Sequence, residues 1–274
     1  MQPTILSHIM VYPVKSLTGI RVQQWPVTAN GLLYDRRWML VDTQQQFLSQ
    51  RRLPRMTLIG TALTETHLIL SALGMDDLYL GLEEQSGEIL DVQIWHDQCQ
   101  ANVVSAEVDR WLSQFLKTDC RLVFQPKTGI RQVDLKYANA GDQTSFSDGF
   151  PFLIISENSL SALNTLLPFP IEMLRFRPNL VIANCQSYAE DTWREISING
   201  IHFRLPKPCS RCPVPTIDLK TAEYGKEPLR TLSRIRKWEN KVYFGQNAIH
   251  DSLGTLHCQA EVTIIQTGPN QPPL

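Results

Sequence analysis

The chain has 274 residues, 43% of them hydrophobic and 19% charged, with a formal net charge of −1. That composition excludes a disordered tail, and the length calls for one large or two medium domains. No apolar run approaches the roughly 18 residues that a membrane helix requires, and the near-neutral balance argues against a broad nucleic-acid-binding face.

The charge is uneven along the chain. Residues 1–60 hold seven basic side chains against two acidic, and residues 61–120 hold two basic against eleven acidic. A cationic segment inside a neutral protein fits a local anionic ligand better than nucleic acid. The opening MQPTILSHIMVYPVKS lacks the basic n-region and apolar h-region of a secretory signal. Six cysteines are scattered through the chain and only Cys209 and Cys212 are close in sequence, a usage expected of reduced thiols in the cytoplasm.

In chain order, ILSHIMVYPV and RVQQWPV predict strands with SLTG as the turn between them. RRWMLVDT and QFLSQRR flank the polar QQQ stretch and predict a hairpin, and LTETHLILSAL and DLYLGL continue the short-strand rhythm. Residues 105–118 carry Val108, Trp111, Leu112, Phe115 and Leu116 on one helical face, with Ser105 as N-cap and Asp109 near the first turn. FPFLIIS predicts a buried strand, and SENSLSALNTLL a helix capped by Ser156 and stopped by Pro168 and Pro170. RPNLVIAN, WREISING and IHFRLPK follow as strands, then a helix in EPLRTLSRIRKW and strands in VYFGQNAIH and EVTIIQT. The fold class expected is α+β, mainly β, without regular βαβ alternation. The seam is placed in the weakly periodic residues 120–140, giving units 1–122 and 123–274. Trp38, Trp95 and Trp193 are expected in cores, and Arg51, Arg52 and Arg55 on a solvated or phosphate-proximal face.

The segment KPCSRCPVP carries the chemistry. A thioredoxin-type pair opens a helix whose dipole lowers the thiol pKa, but Pro213 and Pro215 disfavour a helix there. Tetrahedral zinc and an iron–sulfur cluster each need four ligands, and Cys99, Cys120, Cys185 and Cys258 are solitary. Spacing alone leaves two readings: inert thiols, or one thiolate on a soft metal whose other ligands come from a cofactor.

Segments spread over nearly the whole chain resemble the MOSC-domain proteins in their two-part branch, which includes bacterial reductases of N-hydroxylated compounds and the mitochondrial amidoxime-reducing component. They are YPVKSLTG, GLLYDRRWMLVD, FLSQRRLPRM, FSDGFPFLIIS, RFRPNLVI, YAEDTWREISING, PCSRCPVPTID, EPLRTL and VYFGQN. The resemblance implies an N-terminal β-barrel-like domain before a MOSC β-barrel domain with a few helices, and a molybdenum-pterin cofactor (molybdopterin).

Cys212 would be the catalytic residue and the protein ligand to molybdenum, a soft thiolate on a metal already held by sulfur. Cys209 would then pack or tune the site. Lys15 and Arg36 would meet the cofactor's phosphate or pterin edge, and Arg177 and Asn179 would contact it from the second half. Ser147 and Asp148 fall where the family approaches the cofactor, although the Gly-Phe that follows departs from the family pattern. Arg211 and Thr216 border Cys212 at the substrate mouth. The implied activity is two-electron reduction of N-hydroxylated bases, amidoximes and hydroxylamines to amines; a molybdenum-cofactor or sulfur carrier acting through Cys212 is the alternative. The chain lacks the Gly-rich dinucleotide fingerprint, and no iron–sulfur cluster or ferredoxin-like extension is expected. Electrons are therefore expected from a separate reductase or small electron carrier, with no nucleic-acid or membrane partner.

Overall fold

The computed structural model describes residues 2–126 and 128–273. Among them a nine-stranded sheet forms the larger half of the molecule. Its path runs Val262–Thr267, Trp193–Ile198, Ile201–Ser210, Lys241–His250, Phe152–Ser156, Leu180–Ala183, Ile5–Val11 and Ile20–Val22, with Lys237–Trp238 paired to one side. All of these pairings are antiparallel except Phe152–Ser156 with Leu180–Ala183. The first strand therefore crosses the 122/123 seam: Ile5 pairs with Ala183 and Ile9 with Leu180.

The period of two explains why Phe152–Ser156 is buried on both faces. Phe152 and Ile154 enter one core with Leu6, Ile9 and Phe203. Leu153 and Ile155 enter another with Leu163, Phe176 and Phe244. The helix Glu157–Asn164 covers that second core, started by Ser156, whose hydroxyl accepts from the Ser159 N–H. Gly245 lets the strand Lys241–His250 approach closely: its φ is +78°, and a Cβ there would meet Ile154 O at 2.8 Å. Neither condition admits a larger residue without distortion.

The smaller half packs around Trp38, Leu40, Leu68, Leu80, Leu112 and Leu122. The helix Ala106–Leu116 is capped by Ser105 and buries Val108, Leu112, Phe115 and Leu116 as its periodicity predicts. Asp109 Oδ1 accepts from the Leu122 N–H at 2.7 Å and ties that helix to the next strand. The α+β, mainly β architecture stands, with short helices at Ala106–Leu116, Glu157–Asn164 and Leu229–Ile235 among the described residues.

Two expectations need correction. The QQQ hairpin closes through the Val41–Phe47 bridge, Gln46 bridges Gln93, and the rest of QFLSQRR leaves strand geometry. A hairpin that the sequence did not announce runs from Ile89–Ile94 into Asp97–Val103, with Trp95 at its corner at φ 55°. Trp95 is accordingly half-buried at the rim of a cleft, while Trp38 and Trp193 are core.

Candidate functional site

Where the two halves meet, a cleft of about 860 Å³ of empty space, open at one side, is lined from both. Of the predicted site residues, Lys15, Arg36, Ser147, Asp148, Arg177, Asn179, Arg211 and Cys212 line it. Thr216 does not: its hydroxyl donates to Pro213 O at 2.8 Å, and it faces a neighbouring surface hollow. Four lining residues, Ser16, Arg36, Trp95 and Arg177, have φ between 52° and 70°, a left-handed backbone that costs a non-glycine residue about 1–2 kcal/mol. Such strain gathers where side chains are aimed for a purpose.

The floor is built on Tyr12. Its ring is 1% exposed and packs over Gly19, where a Cβ would stand 2.4 Å from the ring. The guanidinium of Arg36 lies 4.7 Å and that of Arg177 4.3 Å from the ring centroid. Arg36 also donates to Asp35, to Asn179 Oδ1 at 3.0 Å and to Arg177 O at 3.3 Å. Arg177 Nη1 donates to Leu17 O at 2.6 Å, while its buried Nη2 has no partner among the described residues. Burial, and then the like charge of Arg36, pulls Arg177 down to about 10. Burial pushes the Tyr12 phenol up to about 12, so it stays neutral.

Asn179 acts within the protein. Its Oδ1 accepts from Arg36 and from the Leu153 N–H at 3.3 Å, and its Nδ2 donates to Met10 O at 3.2 Å. The amide thus fixes Arg36 and locks the first strand to the central ones. Ser147 is similarly engaged, its hydroxyl 2.5 Å from that of Thr144. Arg131, which nothing in the sequence singled out, holds that loop by donating to Ser145 O at 3.0 Å and to Ser147 O.

Lys15, 5% exposed, donates to Asp148 Oδ1 at 2.6 Å and to Phe146 O at 2.8 Å. Burial lowers its pKa to about 8 against the opposing pull of Asp148. The cleft walls take some water from the largely exposed Asp148 carboxyl, which would raise it, but the Lys15 ammonium outweighs this and holds the group below the usual carboxylate range. Trp95 Nε1 also donates to Asp148 Oδ1 at 3.3 Å.

Cys212 follows the end of the strand Ile201–Ser210, and Pro213 starts the tight turn Val214–Thr216 directly after it. Its thiol is half-buried and free. Arg211 Nη1 donates to Cys209 Sγ at 3.0 Å and Nη2 to Phe176 O at 2.7 Å, leaving its buried Nε without a partner among the described residues. Cys209 therefore meets a cation rather than only packing. Tyr224, from the segment beyond the cysteines, donates to Gln50 O at 3.0 Å and Arg51 O at 2.8 Å and pins the first half's loop to the cleft.

Among the described residues, Lys15, Arg36, Arg177 and Arg211 face two carboxylates, Asp35 and Asp148. The surplus positive charge and the unpartnered donors on Arg177 and Arg211 fit an anionic group with many acceptor oxygens. Among the described residues no group of three or more His, Cys, Asp or Glu could hold a metal ion. A metal at Cys212 would need ligands from outside the chain. The residues present fit a phosphate-bearing chelator held by the cations, with the free thiol of Cys212 lining the same cleft.

Residues 4–119 match the family described as the MOSC N-terminal beta barrel domain, and residues 141–263 match the MOSC domain. The chain is 34% identical over 270 residues to mitochondrial amidoxime-reducing component 1 of Mus musculus, covering 92% of this chain and 79% of that protein. Mitochondrial amidoxime reducing component 2 of Rattus norvegicus is 33% identical, with 84% and 72% covered. Molybdenum cofactor sulfurase of Homo sapiens is 30% identical over 92% of this chain but only 30% of its own length.

Proposed function

This chain belongs to the two-part MOSC family, and on that premise we propose that it is a molybdenum-cofactor-dependent reductase of N-hydroxylated compounds, served by a separate electron donor. The observation that carries the reading is the pairing of a free, half-buried Cys212 with unsatisfied buried donors on Arg177 and Arg211 in one cleft. Bound there, the cofactor would supply the two-electron chemistry at the metal.

The chain's own residues would do the rest. Arg36 and Arg177, steadied by Tyr12, would hold the anionic part. Lys15 would add a charge whose position Asp148 sets. Arg211 would orient Cys209 and frame the loop that presents Cys212 as ligand. The overall change breaks the N–O bond and releases the oxygen as water, consuming two protons and two electrons. In this reading the electrons come from an outside carrier.

The test is reduction of benzamidoxime by protein from a host that makes the cofactor. Turnover is expected with dithionite, absent in Cys212→Ala, and negligible with NAD(P)H alone; fast NAD(P)H turnover without a partner overturns the separate-donor reading. The sulfurase relatives support a second reading, a sulfur carrier. A persulfide on Cys212 without amidoxime turnover would decide for it.

A further inference from the structure

The mouth of the cleft differs chemically from its floor. The Arg51 guanidinium lies 4.4 Å from the Trp95 ring centroid, and its Nη2 approaches Asp148 Oδ2 no closer than 3.8 Å. Asp148 spends Oδ1 on Lys15 and Trp95, while Oδ2 has only the long Arg51 contact among the described residues, and the side chain is 64% exposed. A flat N–C–N group thus already rests on an indole face with its N–H edge toward a carboxylate, and that group belongs to the protein.

Arg51 is tethered by its backbone, whose carbonyl accepts from Tyr224, while its side chain is 34% exposed. An exposed ion pair this long contributes little. The guanidinium can therefore swing away and leave the indole face and Oδ2 to a ligand of the same shape.

We infer that Trp95 and the Oδ2 edge of Asp148 form the subsite that selects planar N–C–N head groups, amidoxime- or amidine-like, and that Arg51 is a displaceable occupant of that subsite. This rests on the proposed reductase function for its substrate class. The stacking would hold the ligand plane, and the carboxylate would accept N–H bonds from both nitrogens of an amidinium or from the NH2 group of an amidoxime; a non-planar hydroxylamine cannot stack while making that bond.

The test measures binding directly, on the purified cofactor-loaded protein, by calorimetry with benzamidine and with its neutral analogue benzamide. Wild type should bind benzamidine more tightly than benzamide. Trp95→Leu should weaken benzamidine by about tenfold, Trp95→Phe should retain most of the affinity, and Arg51→Ala should strengthen it by about threefold. Unchanged affinity in Trp95→Leu, or weaker binding in Arg51→Ala, overturns the proposal. Loss of cofactor in Arg51→Ala would overturn it as well, by giving Arg51 to the anion. Should Trp95→Leu fail to fold, the Arg51→Ala arm still decides. Kinetically, the KM for benzamidoxime should rise in Trp95→Leu while that for a small aliphatic hydroxylamine stays level. Equal rises in both overturn the selectivity. If wild type reduces no amidoxime at all, the reductase reading fails, while benzamidine binding in the variants still supports or overturns the subsite.

Discussion

Two regions of this molecule use the same parts in different proportions. Away from the cleft, Arg236 lies 4.6 Å from the Tyr188 ring and donates to Asp191 Oδ2 at 2.5 Å, while Gln246 donates to Asp191 Oδ1 at 2.9 Å. There one guanidinium meets one carboxylate on one tyrosine, and Asp191 and Arg236 are both buried. In the cleft, two guanidiniums share Tyr12 and one carboxylate, Asp35, and Arg177 keeps an unpartnered donor. A balanced set holds a fold together. A set with surplus charge costs stability until a ligand of opposite charge completes it.

The sharpest way to break that contrast is at Cys212. Replacing it with Ala should remove amidoxime turnover to background and leave the midpoint of urea unfolding nearly unchanged, because one half-exposed thiol contributes little packing. A large stability loss would place Cys212 with the structural set.

Asp191→Ala probes the other region. It strands Arg236 in the interior and should lower unfolding free energy by about 3–5 kcal/mol, measured by urea denaturation, with cofactor content per folded molecule unchanged. Arg177→Met should do the reverse, costing at most about 1 kcal/mol while most of the molybdenum and pterin is lost on gel filtration. Equal stability losses at the two sites would erase the distinction.

Lys15 gives a pH signature. With its value at about 8 in the fold and about 10.4 in the unfolded chain, the unfolded state binds the proton more tightly across that window. Stability of the cofactor-free protein should therefore rise between those pH values, and the rise should be absent in Lys15→Met. Over the same range the ammonium is lost, so affinity for an anion falls; a bound anion moves that step upward. The smallest effect is expected at Arg52, 64% exposed and 3.2 Å from Asp42, where Ala should change stability by less than about 0.5 kcal/mol.

Much of this was legible in the sequence because local rules and tertiary packing agree. Ser105 and Ser156 announced their helices by capping chemistry, and FLIIS announced a strand buried on both faces by its unbroken apolar run. The hairpin turning at Trp95 was hidden because DVQIWHDQCQAN mixes polar residues into both arms and carries no Gly at its corner. QFLSQRR looked like a strand but serves as a cleft wall, held by Tyr224 from a distant segment that no local pattern could reveal. At the site, residue types and their resemblance to a family located the cations and Cys212. They could not show that Asn179 is consumed by internal hydrogen bonds, that Thr216 faces elsewhere, or that Arg131 supports the Ser147 loop, since each depends on long-range packing.

The most direct test is X-ray absorption at the molybdenum edge on wild type and Cys212→Ser purified from a host competent in cofactor synthesis. Stoichiometric metal in the wild type, with one sulfur neighbour fewer in the variant, is the predicted result. Absence of molybdenum from the wild type, or identical sulfur shells in the two proteins, would contradict it.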